Sequence, residues 1–91
     1  METTRKVKKR YVQVMTLVNE DGFVKPLLIY WDDNKKYTID QILDVRPAAS
    51  RKAGGQGIRY LVRIGHTKTV LYHESPRWFV EEKIQQKGFL Q

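Results

Sequence analysis

The sequence predicts a mainly β fold, a single small antiparallel barrel or half-barrel of the SH3-like kind with about five to six strands. Three observations predict it. Apolar residues recur with a period nearer two than 3.6 through most of the chain. Turn-forming clusters built on Asn, Asp and Gly punctuate that pattern at short intervals. The chain has 91 residues and no cysteine. That leaves room for one core and excludes both disulfides and thiolate metal sites.

The elements follow in order. Residues 1–10 read as a basic N-terminal arm, either a disordered segment that folds along a phosphate backbone or a solvated strand extension; 11–84 read as the β domain and 85–91 as a tail. Tyr11–Val18 is a strand, with Val12, Val14 and Val18 on one face and Tyr11, Met15 and Leu17 on the other. Asn19-Glu20-Asp21-Gly22 is a turn, because these residues tolerate positive φ. Phe23–Trp31 is the second strand; Pro26 cannot donate to a ladder, which places that end at an edge or a bulge. Asp32–Lys35 turns the chain again. Tyr37–Val45 is the third strand, and Ile42 breaks its phase, so a bulge, bend or single helical turn is expected near Asp40–Ile42. Arg46–Gly57, with Pro47, three alanines and three glycines, reads as the longest loop. Ile58–Ile64 and Lys68–His73 form a hairpin across Gly65-His66-Thr67. The last piece fits two patterns. Ser75-Pro76 with Gly88 is a helix signature, while Trp78, Val80 and Ile84 alternate as in a strand; the strand over Trp78–Glu82 is the preferred reading, with a short C-terminal helix as the alternative.

Charge is distributed in blocks. The net charge is +7, made of +4 over residues 1–10, −3 over 11–45, +6 over 46–73 and zero over 74–91. The stretch Arg46–His73 contains no acid at all. Such blocks attract polyanions, of which nucleic acid is the commonest inside a bacterial-type cell. The alternative is a solubilising surface. Arg59 and Arg63 are four residues apart on one strand, hence about 13 Å apart on one face, a distance that fits alternate phosphates of a single strand at about 6–7 Å each. The candidate nucleic-acid-binding set is Arg10, Arg46, Arg51, Lys52, Arg59, Arg63 and Lys68.

The strings Pro26–Trp31, Tyr37–Leu43, Arg59–Arg63 and Trp78–Val80, with the stretch Arg46–Ser50 and Ala53–Tyr60, resemble a family of small bacterial β-rich domains of unknown function. Members are sometimes encoded near error-prone DNA polymerase or damage-response genes. The resemblance covers about residues 23–83 and implies a link to DNA repair. It carries no catalytic residues over.

No catalytic constellation emerges. Arg51-Lys52-Ala53-Gly54-Gly55-Gln56-Gly57 could turn backbone N–H groups onto an anion, but it enters a strand, whereas a P-loop opens a helix with Gly-Lys-Ser/Thr. His66 and His73, with Glu74 beside the latter, lack a third ligand at a metal-site spacing. Asp32, Asp33 and Asn34 open like a calcium loop but lack its Gly and distal Glu. The aromatics Tyr11, Tyr30, Trp31, Tyr37, Tyr60, Tyr72, Trp78 and Phe79 serve as core, with base stacking as the alternative role. The charged first ten residues lack a signal peptide's apolar run, and Pro26–Trp31 is too short to span a bilayer. The sequence therefore reads as a cytoplasmic, non-enzymatic module needing no cofactor. Nucleic acid is the first partner expected, a polymerase or repair protein the second, and a membrane is not expected.

Overall fold

A computed structural model describes residues 7–32, 34–50 and 55–83. Seven antiparallel strands form one sheet: β1 (Val7–Val18), β2 (Val24–Asp32), β3 (Lys35–Thr38), β4 (Gln41–Ser50), β5 (Gly55–Ile64), β6 (Thr67–Glu74) and β7 (Arg77–Lys83). Their order across the sheet is β3-β2-β1-β7-β6-β5-β4. No helix occurs among the described residues, so none there could cross a membrane.

The turns follow the local chemistry. Gly22 has φ of 92° and Gly65 has φ of 61°, values that a residue without Cβ adopts freely. The Asp21 carboxylate accepts the Phe23 N–H at 2.9 Å, and the Gly22 N–H donates to the Asn19 carbonyl at 2.8 Å. Pro26 is buried beside a bulge, where β1 register passes from Met15 opposite Leu28 to Thr16 opposite Pro26. Leu27 is thereby left over, and its carbonyl accepts the Ile39 N–H at 2.9 Å.

The strand expected over Tyr37–Val45 is two strands. β3 lies at one edge of the sheet and β4 at the other, joined only by Ile39 and Asp40. A two-residue connection can span both edges only if the sheet coils until they meet at that corner. Ile39 N–H to Leu27 and Asp40 N–H to the Arg63 carbonyl, 2.9 Å each, stitch the corner. The twist natural to β-sheets supplies the coiling. This split raises the strand count to seven, one more than the upper expectation. The phase break comes later than expected as well, between Ile42 and Asp44.

One further expectation is corrected. The loop over Arg46–Gly57 is mostly ladder, because β4 and β5 stay paired out to Ser50 and Gly55. Small residues weaken a strand but do not forbid one when a partner supplies the hydrogen bonds. Pro47 is tolerated because β4 is an edge strand. Of the two readings of the basic arm, the strand extension describes Val7–Arg10, which begins β1 and pairs with β7 in the register Lys8–Glu82, Lys9–Glu81 and Arg10–Val80. The C-terminal piece over Arg77–Lys83 is a strand, as preferred; Ile84 and the expected tail, 85–91, lie outside the described residues.

The inner face of the coil holds the core: Ile29, Tyr60, Val62, Leu71, Trp78 and Val80, with Val12, Val14, Val24, Trp31, Ile39, Ile42 and Ile64 packed against it. Burying one such side chain contributes about 1.5–3 kcal/mol. The Tyr60 hydroxyl donates to the Val24 carbonyl at 2.6 Å and ties β5 to the start of β2 across the hollow. Burial pushes the Tyr60 phenol's pKa up.

Candidate functional site

Because side chains alternate along each strand, the register determines what shares the outer face. Tyr11 lies opposite Phe79, Phe79 opposite Tyr72, Tyr72 opposite Arg59, and Arg59 opposite Arg46. One rung therefore crosses five strands, aromatic on β1, β7 and β6, and cationic on β5 and β4. Two residues along β5, Leu61 lies opposite Val70 on β6 and Asp44 on β4. Two residues further, Arg63 lies opposite Lys68.

Four of the seven predicted cations thus gather on one face of β4, β5 and β6. They form two like-charged pairs, Arg46 with Arg59 and Arg63 with Lys68. Directly opposed like charges destabilise a sheet by about 0.2–1 kcal/mol per pair. Part of this charge is compensated. Arg46 Nε donates to Asp44 Oδ2 at 2.7 Å. Arg63 donates to the Gly65 carbonyl at 2.9 Å and to Gln41 Oε1 at 3.5 Å. Arg59 and Lys68 have no acidic partner among the described residues. Asp40, close by, is engaged by the Gly65 N–H at 2.7 Å and caps the β5–β6 turn.

Arg10 falls elsewhere. Its guanidinium lies 3.6 Å from the centre of the Trp31 ring and donates to the Trp31 carbonyl at 3.1 Å, Asp32 at 3.0 Å and Glu82 at 3.2 Å. It is a neutralised strut between β1, β2 and β7. Lys8 and Lys9 also face acids, Glu82 at 3.9 Å and Glu74 at 3.3 Å. The +4 block of the N-terminus is thus partly cancelled by the acids of β6 and β7. Arg51 and Lys52 lie outside the described residues.

The aromatic half of the rung is ordered by mutual contact. Tyr72 and Phe79 stack at 4.8 Å between centroids and 8° between planes. Tyr11 meets Phe79 edge-on at 5.7 Å. Lys9 Nζ sits 4.6 Å from the Phe79 centroid, and the Arg77 guanidinium 4.1 Å from that of Tyr11. The Tyr11 hydroxyl donates to Glu74 at 3.0 Å. Hydrogen bonds from Tyr11 and then Lys9 hold the Glu74 carboxyl below its ordinary pKa. Period-two alternation already put Tyr11 on the face away from the valines. The alignment of Tyr11, Phe79 and Tyr72 needs the pairing of β1, β7 and β6, which no local signal carries.

At the opposite end of the coil from the stitched corner, β2 and β4 diverge. An apolar cleft of about 750 Å³ opens there, lined in part by Phe23, Pro47, Ile58, Tyr60 and His73. The His73 ring stacks on Trp78 at 4.0 Å and 11°, and burial lowers its pKa from 6.5. His66 is exposed in the β5–β6 turn, at the other end of β6. No group of three His, Cys, Asp or Glu residues able to hold a metal occurs among the described residues.

The fold and site together define a seven-stranded antiparallel half-barrel whose outer face joins an aromatic row to a cationic patch. No family model, no curated protein and no solved structure matches the chain.

Proposed function

We propose that the protein is a non-enzymatic, nucleic-acid-associated module that holds phosphate backbones through Arg46, Arg59, Arg63 and Lys68. The observation that carries this reading is the two like-charged pairs, Arg46 with Arg59 and Arg63 with Lys68, set opposite each other in register on a single sheet face. Each is a cost to folding that a polyanion would remove. Arg51 and Lys52 join the set because they belong to the same acid-free stretch of sequence. The half-barrel is read as SH3-like on the strength of its tightly stitched corner, and the sequence resemblance supports a link to DNA repair.

The test is a titration of short duplex and single-stranded oligonucleotides at several salt concentrations. Arg46, Arg59, Arg63 and Lys68 alone contribute about −3.6 on duplex or about −2.8 on a single strand to the slope of log affinity against log salt, and Arg51 and Lys52 steepen it further. Replacing Arg59 and Lys68 together by Gln should make that slope shallower by about 1.8 on duplex or about 1.4 on a single strand. No detectable binding at low salt overturns the reading.

A second reading, a protein-interaction module docking a polymerase or repair protein, draws on the apolar cleft between Phe23 and Ile58. It gains if a partner protein binds with little salt dependence while oligonucleotides do not bind.

A further inference from the structure

We infer that the ligand of the outer face is single-stranded rather than duplex nucleic acid, and that one base stacks on Tyr72 on the side facing Arg59. The inference rests on the nucleic-acid reading above and deepens it.

The geometry comes from the rung. Tyr72 and Phe79 are nearly parallel, with centroids 4.8 Å apart, the spacing of neighbouring strands. Their rings therefore stand upright on the sheet, each turning its faces toward the strands on either side. One face of Tyr72 is covered by Phe79. Toward β5 its register neighbour is Arg59, and no ring or cation centre among the described residues packs over that second face. The other two rings are occupied differently: Lys9 lies over Phe79 and Arg77 over Tyr11. The Tyr72 face over which no other ring or cation centre packs thus lies on the side of Arg59, which has no acidic partner among the described residues.

A base placed there has a π-surface on one side and a cation on the other. Its own phosphate lies within reach of Arg59 and Arg46, and the chain can continue past Leu61 and Val70 to Arg63 and Lys68. The spacing from Arg59 to Arg63 along β5 is about 13 Å, two phosphate steps of an extended strand at about 6–7 Å each. Only an unpaired strand can offer the face of a base; a duplex keeps its bases stacked within itself. The outer face of a coiled sheet is also convex, and a convex surface meets a duplex over a small area.

The decisive comparison uses the unmodified protein with four ligands of equal length: oligothymidylate, oligouridylate, an abasic oligodeoxynucleotide and a duplex. The abasic strand keeps the phosphates and removes the bases. Stacking of one base predicts a roughly ten-fold or greater preference for a base-bearing strand, in either sugar, over the abasic one. Tyr72→Leu should remove that preference with the salt slope unchanged, while Tyr72→Phe should keep it. A 2-aminopurine in the strand should be quenched on binding to the protein and to Tyr72→Phe, and not to Tyr72→Leu. Equal affinity for base-bearing and abasic strands, or tighter binding of the duplex, overturns the stacking inference and leaves the phosphate reading standing. Failure of every ligand to bind overturns both. The comparison of ligands on the unmodified protein stays decisive even if Tyr72→Leu folds poorly.

Discussion

Converting one like-charged pair to an opposed pair should strengthen the fold and weaken the proposed function at once. Lys68 is exposed and sits directly across from Arg63. In Lys68→Glu the pair changes from repulsive to attractive. Each state is worth about 0.2–1 kcal/mol relative to a neutral pair, so the swing is about 0.4–2 kcal/mol. The structure argues for the middle of that range. Arg63 already donates to the Gly65 carbonyl and Gln41, which draws its charge away from Lys68 and moderates the repulsion that is relieved. A gain of about 1 kcal/mol corresponds to about 4–8 °C in Tm for a domain of this size. Thermal and urea unfolding at low salt measure it, and a repeat in 1 M salt serves as control. There the Debye length shrinks to about 3 Å and most of the difference should vanish. Oligonucleotide affinity should fall in the same variant, with the salt slope reduced by about two contacts' worth, since one cation is lost and one anion is added. An unchanged or lower Tm at low salt would show that the opposed pair carries no strain, and would remove the main support for the anion-binding face.

Two other outcomes follow from the geometry. Arg10→Met should destabilise the fold by about 1–2 kcal/mol, through loss of the contact with Trp31 and of partly exposed charge-assisted bonds, while leaving oligonucleotide affinity within two-fold; urea unfolding and the same binding titration check both halves. Stability should fall as pH drops below about 6.5, because burial lowers the folded-state pKa of His73, so the unfolded chain takes up that proton first. Glu74 has the opposite charge type but adds to the same trend. Its carboxyl titrates below its ordinary 4.5 when folded, so its contribution is present above that value and is lost as pH falls through the folded pKa. His73→Phe should abolish the step that begins near 6.5 and spare the one below 4.5, as read by urea unfolding across that range.

Much of the strand content is legible residue by residue. Alternation at Ile58, Tyr60, Val62 and Ile64 declares β5 because each of those side chains meets the same hollow. The turns at Gly22 and Gly65 announce themselves through residues that accept positive φ. The broken phase at Ile42 signals a bend near Asp40–Ile42, but it does not show that the pieces on either side lie at opposite edges of the sheet. That placement depends on both sheet edges arriving at one place, a consequence of coiling over the whole sheet. The extension of β4 and β5 through Ala48 and Gly57 is hidden for a related reason. Weak strand formers join a ladder when a partner lies alongside, and no local property reports the partner.

The sequence by itself determined that the chain is a small β domain with its positive charge gathered in the N-terminal ten residues and in Arg46–His73. Local chemistry suffices for that: side-chain alternation, turn residues and charge are all read within a few positions. Only the tertiary structure decided which of those cations stay available. Strand pairing set Lys8, Lys9 and Arg10 near Glu74, Glu82 and Asp32, and so compensated those three cations of the N-terminal block. The same pairing placed Arg46 against Arg59 and Arg63 against Lys68, and aligned Tyr72 beside them. Whether a charge is cancelled or left free depends on what lies across the ladder, and strand pairing joins residues as far apart in sequence as Tyr11 and Phe79.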